Sequence, residues 1–237
     1  MIRVLLFGIC GRMGRITAAE LSSIEGMAIV AGVERKDHPD IGSLVENIPV
    51  ISEEADPPDA DVWLDFSLAG PAVEHVRRAA ASGKPVVVAA TGFNANEEEE
   101  LNWQSKLCPL LVAPNLSAGI GVLENLAAQA AHLLPETFDT GIVDLHHSTK
   151  KDSPSGTARR IASRIAEFRP KPQIVSLRAG GAIGEHQVRF VGSDEEVILI
   201  HRAWSRRAFS SGVERAIRFI VNQKLGHYTP QDIYSTD

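Results

Sequence analysis

The stretch Ile2-Arg3-Val4-Leu5-Leu6-Phe7-Gly8-Ile9-Cys10-Gly11-Arg12-Met13-Gly14 runs from an apolar segment through three glycines into a helical pattern. A short apolar run that stops at glycine reads as a buried strand followed by a tight strand-to-helix turn. Gly8, Gly11 and Gly14 permit that turn, a close backbone approach to a pyrophosphate, and packing of helix on strand. Arg12 and Met13 open the helix, whose first N–H groups suit an anion. Glu34 closes the next predicted strand, twenty residues beyond Gly14, where a carboxylate accepts hydrogen bonds from an adenosine ribose. Arg35 follows it. A guanidinium suits the 2′-phosphate of NADPH whereas Glu34 repels it, so the pair predicts NADH and/or NADPH, with NADH favoured. Cys10 reads as a small filler, because only Arg12 offers it a neighbouring cation.

Outward from this turn, short β-branched runs alternate with helical periodicity, the pattern of βαβ units on a parallel sheet. Strands are predicted over 2–7, 27–33, 62–66, 86–90 and 110–113, with helices over 12–23, 71–82 and 97–106. Two further segments fall at strand ends, where open α/β sheets gather ligands: Ala89, Ala90 and Thr91, and Ala113, Pro114, Asn115 and Leu116. Both are candidate nicotinamide walls, and both read equally well as ordinary strand-to-helix turns. Beyond them the order changes to a helix over 121–133, a strand over 140–146, a helix over 154–168, and strands over 173–178, 186–191 and 197–202. An amphipathic helix over 212–225 returns to the first domain. The expected architecture is therefore α/β: a Rossmann-like doubly wound parallel sheet of 1–116 and 207–237, carrying an inserted α+β domain of 117–206. Hinges are expected near 115–117 and 206–211.

The 24 Lys and Arg are interspersed among 30 Asp and Glu, for a net charge of −6 over 237 residues. This lacks the basic stripe of a nucleic-acid binder and the polybasic anchor of a membrane-surface protein. No run approaches the roughly 18 apolar residues of a membrane helix. The opening apolar segment breaks at glycines and Arg12, without a small-residue cleavage pattern. Cys10 and Cys108 are too far apart to suggest a disulfide framework, and the compartment expected is cytoplasmic.

The densest chemistry lies in Asp144-Leu145-His146-His147-Ser148-Thr149-Lys150-Lys151-Asp152-Ser153-Pro154-Ser155-Gly156-Thr157-Ala158. Ser153 is expected to cap a helix beginning at Pro154, leaving the N–H groups of Ser155, Gly156 and Thr157 as orphan donors for a carboxylate or phosphate. The plain readings are a well-capped helix and a surface or core histidine pair. His146 and His147 serve one site only if the strand ends there. Lys150 joins His146, about 13 Å away on an extended chain, only if the chain folds back after Ser148.

The Gly8 to Gly14 loop, Glu34-Arg35, the Ala-Thr-Gly-Phe and Pro-Asn-Leu-Ser turns, and the run His-His-x-x-Lys-x-Asp-x-Pro-Ser-Gly-Thr-Ala together resemble the 4-hydroxy-tetrahydrodipicolinate (dihydrodipicolinate) reductase family over nearly the whole chain. Gly184-Glu185-His186 and the segment from Ser205 to Gly212 are similar to later landmarks of that family. The resemblance implies His146 as acid/base, Lys150 as proton donor, His147 as a substrate contact, and Gly156 with Thr157 on a substrate carboxylate. It also implies a cyclic dicarboxylate imine substrate, a role in lysine and diaminopimelate biosynthesis, and a homotetramer built through the substrate domain. Three positions depart from the family's usual pattern: Asp144 for glutamate, Ala89-Ala90 for a Gly-Thr pair, and Leu68 where some relatives carry a basic residue.

Other readings of the same residues are a different two-domain NAD(P) oxidoreductase acting on a small carboxylate, and a non-catalytic NADH-sensing protein. A zinc site from His132, His146, His147, His186 and His201 fits no metal-binding spacing.

Overall fold

A computed structural model describes residues 1–234. The chain divides into two compact units, Met1–Leu116 with Phe209–Ile233, and Ser117–Ala208 joined by Tyr234.

The first unit opens with β1 (Ile2–Phe7), α1 (Arg12–Leu21), β2 (Met27–Glu34), β3 (Leu44–Val45), β4 (Ile48–Ser52), β5 (Val62–Asp65), α2 (Ala69–Ala81), β6 (Val86–Val88), α3 (Ala95–Gln104) and β7 (Pro109–Val112). The second contains α4 (Ala118–Leu133), β8 (Asp139–His146), α5 (Gly156–Ile165), β9 (Gln173–Arg178), β10 (Gly184–Val191) and β11 (Glu196–Ala203). After a 3₁₀ turn at Arg206–Phe209 come α6 (Val213–Ile220), β12 (Gly226–Tyr228) and α7 (Pro230–Tyr234).

The first sheet runs β12-β7-β6-β5-β1-β2-β4-β3. Every pair in it is parallel except β3 with β4. Alternation along β1 explains the two helical layers. Leu5 and Phe7 join Ala72, Val73 and Val76 of α2 and Leu101 of α3 in one cluster, so Val4 and Leu6, also fully buried, face the opposite layer. In α6, Val213, Ala216, Ile217 and Ile220 are buried at i, i+3, i+4, i+7 spacing, and this stripe serves β5, β6 and β7. Asn94 caps α3 in a reciprocal box with Glu97, so the acidic run there is a helix start.

The second sheet runs β11-β10-β8-β9, with only β8 and β9 parallel. Ile142, Val188 and Phe190 meet Ile120, Leu123 and Ala127 of α4 and Ala158, Ile161, Ala162 and Ile165 of α5. At about 25 cal/mol per Å² of apolar surface, each large side chain buried there contributes roughly 1.5–3 kcal/mol. The opposite face is left bare: Val175, Leu177, Ile198 and Ile200 are all exposed.

Several sequence expectations need correction. Helix α4 begins at Ala118 rather than 121, because the Ser117 hydroxyl accepts from the Ile120 N–H and caps it one turn earlier. Helix α6 stops at Ile220 rather than 225, and Leu225 is exposed. Three strands were not anticipated. Strands β3 and β4 form a hairpin on a two-residue turn with both Glu46 and Asn47 at positive φ, and β12 is a Gly-His-Tyr edge strand without an apolar run.

Candidate active site

Each unit presents one cluster. In the first, the backbone leaves β1 at Gly8, whose φ of +76° favours glycine. The Gly8 carbonyl accepts the Gly11 N–H at 3.1 Å. A Cβ on Gly14 would lie 2.0 Å from the Gly8 oxygen, so the loop closes on the helix only because residue 14 has no side chain. Gly11 is the N-cap of α1 and no side chain caps that end. Its first-turn N–H groups are thus left to an external acceptor. Glu34, the last residue of β2, accepts the Cys10 N–H at 2.7 Å. Arg35 lies beyond it and is exposed. A cavity of about 390 Å³ is lined by Gly8, Cys10, Gly11, Glu34, Arg35 and Ser67 among others. Tight glycine turn, uncapped helix start and strand-end carboxylate together fit a dinucleotide.

Arg12 is exposed and Met13 half-buried at the start of α1, outside the cavity lining. The cation beside Cys10 is Arg15, whose Nε donates to the Cys10 carbonyl at 3.1 Å, not Arg12 as expected. Burial, with the charges of Glu34 and Asp40, pushes the Cys10 thiol up to about 12, so it stays protonated filler. Ala89, Ala90 and Thr91 follow β6, and Ala113, Pro114, Asn115 and Leu116 follow β7. These strands pair through Val88 and Val112, which sets the two turns side by side at the carboxyl edge. Ala90, Ala113 and Leu116 are buried, so the turns offer mainly backbone.

The second cluster is built by register. Along β8 the buried residues are Ile142, Asp144 and His146, one face of the strand. Asp144 lies opposite His186 of β10 and Ser176 of β9, and His146 lies opposite Arg178. One Asp144 oxygen, Oδ2, accepts from the Ser155 N–H at 2.8 Å, the Arg178 guanidinium at 2.9 Å and the Ser176 hydroxyl at 3.0 Å. The other, Oδ1, lies 2.9 Å from His146 Nδ1, an ion-pair distance short of ideal hydrogen-bond alignment, and 3.6 Å from His186 Nε2. Burial alone would raise the Asp144 carboxyl. The surrounding donors, His146, the Ser155 N–H and Arg178, outweigh it and hold the acid well below the ordinary carboxylate range. Burial, then the charge of His146, pushes the His186 imidazole down to about 3, so it is neutral near pH 7.

Strand β8 ends at His146, and the chain turns at once, the Lys150 N–H donating to the His147 carbonyl at 3.1 Å. His147 is half-buried, with Nδ1 2.8 Å from the Thr149 hydroxyl. Lys150 Nζ lies 2.7 Å from Asp152 Oδ1. The helix start corrects the sequence reading: the cap of α5 is Ser155, whose hydroxyl accepts from the Ala158 N–H, and the helix opens at Gly156 rather than Pro154. Two of the expected orphan donors are already taken up within the chain. The Ser155 N–H is bound to Asp144, and the Gly156 N–H donates to Asp152. Although burial opposes it, this N–H together with Lys150 keeps the Asp152 carboxyl below its usual range. A buried N–H cannot stay unpaired without cost, and the chain supplies its own carboxylates.

The five-histidine grouping does not form among the described residues. His132 packs against Phe168 with ring centroids 5.2 Å apart, and only His146 and His186 of the five gather, around Asp144. That carboxylate is already committed to Arg178, Ser155 and Ser176. Arg178 and Ser176 were missed from sequence because no local motif marks them; they reach Asp144 across more than 30 residues.

A sequence model described as dihydrodipicolinate reductase, N-terminus, matches residues 2–116, and one described as dihydrodipicolinate reductase, C-terminus, matches residues 119–234. A 4-hydroxy-tetrahydrodipicolinate reductase of Syntrophobacter fumaroxidans is 34% identical, covering 96% of this chain and 97% of its own. One of Caldanaerobacter subterraneus is 35% identical over 98% of both chains. Among solved structures, a dipicolinate-bound dihydrodipicolinate reductase from Paenisporosarcina sp. TG-14 is similar at TM-score 0.80 and 27% identity, covering 97% of each chain. A probable dehydrogenase from Thermotoga maritima shares the fold at TM-score 0.69 and 13% identity. With both halves matched and full-length relatives above 30% identity, the chain belongs to the dihydrodipicolinate reductase family of pyridine-nucleotide-dependent oxidoreductases.

Proposed function

We propose that this protein reduces 4-hydroxy-tetrahydrodipicolinate to tetrahydrodipicolinate, with loss of water, in lysine and diaminopimelate biosynthesis. The observation that carries this reading is the shared carboxylate of Asp144, which ties His146 to the turn that opens α5. An acid/base imidazole and an anion-binding helix start are thereby held against one carboxylate, as a charged substrate needs. The cofactor supplies the hydride. Lys150 stabilises charge developing on the substrate nitrogen and donates the proton, and His146 exchanges protons in either direction. Gly156 and Thr157 receive a substrate carboxylate at the start of α5, where Asp152 now accepts from Gly156, and His147 contacts the same substrate. Ser155 keeps that turn in place.

The cofactor residues in this reading are those of the Gly8 to Gly14 loop, Glu34 with Arg35, and the turns after β6 and β7. NADH is favoured over NADPH. The Glu34 carboxylate, held at the strand end by the Cys10 N–H, opposes a 2′-phosphate, and Leu68 after β5 is apolar and exposed. The bare apolar face of the second sheet supports association of subunits through this unit, as a homotetramer. Among the described residues, no helix is long and apolar enough to cross a membrane. Both cysteines are free, and the protein is assigned to the cytoplasm.

The test is a coupled assay in which the cyclic precursor is generated in place and NADH oxidation is followed. Turnover with a higher kcat/KM for NADH than for NADPH is expected. Tight NADH binding without oxidation on this or any other dicarboxylate would replace the reductase by a sensor.

A further inference from the structure

The cavity beside the glycine loop contains a buried histidine that the reduction does not use. His75 lies on the inward face of α2 and is 5% exposed. Its ring packs on Phe7, centroids 4.1 Å apart, and its Nδ1 lies 2.6 Å from Oδ2 of Asp65, the last residue of β5. Asp65 is fully buried, and its other oxygen accepts the Ser67 N–H at 2.6 Å. An acceptor oxygen at Nδ1 selects the tautomer in which Nδ1 carries the proton and Nε2 presents a lone pair. Another acceptor, Glu53 Oε2, lies 3.8 Å from Nε2. Glu53 is fixed through its backbone, its carbonyl accepting from Arg78 and its N–H donating to Glu34.

His75 and Glu53 line the same cavity as Gly8, Gly11 and Glu34, between the apolar surfaces of Val33, Phe66 and Pro71. Two acceptors face each other 3.8 Å apart, under walls suited to a flat ring. An acceptor pair on the wall of a cavity recognises a ligand by the donor it brings, and an N–H₂ group supplies one. On the reading that this cavity takes the cofactor, Glu34 holds the ribose, and the group next to the ribose is the purine.

We propose that His75 and Glu53 are specificity-determining residues that read the exocyclic amine of the cofactor's adenine, with Asp65 fixing the imidazole tautomer. Replacing that amine by a carbonyl, as in hypoxanthine, sets an acceptor against two acceptors.

The experiment is calorimetric titration of the intact protein with NADH and with reduced nicotinamide hypoxanthine dinucleotide, repeated on Glu53→Gln and His75→Phe. The wild type should bind the adenine form about tenfold more tightly or better. Glu53→Gln, at a half-exposed position, adds an amide donor that suits the carbonyl and should bring the ratio near one, as should His75→Phe. Equal affinities in the wild type, or unchanged discrimination in Glu53→Gln, would overturn the assignment. Binding of neither dinucleotide would sink it together with the cofactor reading on which it rests.

Discussion

Two carboxylate–histidine pairs terminate strands in this molecule, one in each unit, and their surroundings give them different work. Asp65 ends β5 and serves His75 and one backbone N–H. Asp144 sits two residues before the end of β8 and serves His146, the Ser155 N–H, Ser176 and Arg178, with His186 close by. Both acids are fully buried. The first has no cation of its own and faces a cavity through its histidine. The second is neutralised by a guanidinium and anchors a loop that carries Lys150. A buried aspartate beside a histidine therefore does not identify a catalytic centre; the donors around it and the groups its histidine adjoins decide its role.

The sharpest way to break this contrast is to remove the cation on the loop that the second pair anchors. Lys150→Met should lower kcat by roughly 10²- to 10⁴-fold while leaving the NADH dissociation constant unchanged. Near-normal steady-state kcat would take Lys150 out of the chemistry. Next in size is the difference in what each acid supports. Asp144→Asn removes the carboxylate from the half-buried Arg178 and should cost about 3–5 kcal/mol in urea unfolding, against about 1–3 kcal/mol for Asp65→Asn. Equal losses would mean that the two pairs differ only in location.

A third effect is pH dependence. The His186 imidazole titrates at about 3 in the folded chain and near 6.5 when unfolded. Between those values the unfolded state binds the additional proton, so stability is intact above pH 6.5 and falls as the pH drops, by about 1.4 kcal/mol per pH unit. Asp144, depressed in the folded state, adds a loss of the same sign below its unfolded value of 3.8. His186→Gln should flatten the slope between pH 6.5 and 4 in thermal melts, and an unchanged slope would assign the proton elsewhere. The smallest effect belongs to the loop. The pair of Lys150 with Asp152 is partly solvated, so Asp152→Asn should change the substrate KM by no more than about fivefold. A change above a hundredfold would make Asp152 a structural part of the site.

Much of the architecture was legible locally. Strand β1 and the glycine turn follow from an apolar run ending at residues that tolerate positive φ and close packing, and Glu34 at the end of β2 follows from chain length. The family resemblance added roles for His146 and Lys150 that no periodicity contains. Less legible were β3, β4 and β12, whose short, partly polar runs give no period-2 signal.

From the sequence alone came the alternation of strands and helices, the glycine loop and the histidine–lysine segment, because side-chain period and backbone sterics act over a few residues. Tertiary structure alone decided that Ser155 rather than Ser153 caps α5, and that Ser176, Arg178 and His186 converge on Asp144. Those pairings join residues 11 to 42 positions apart, as from Asp144 to Ser155 and to His186. Only strand register and the need to satisfy a buried carboxylate select them.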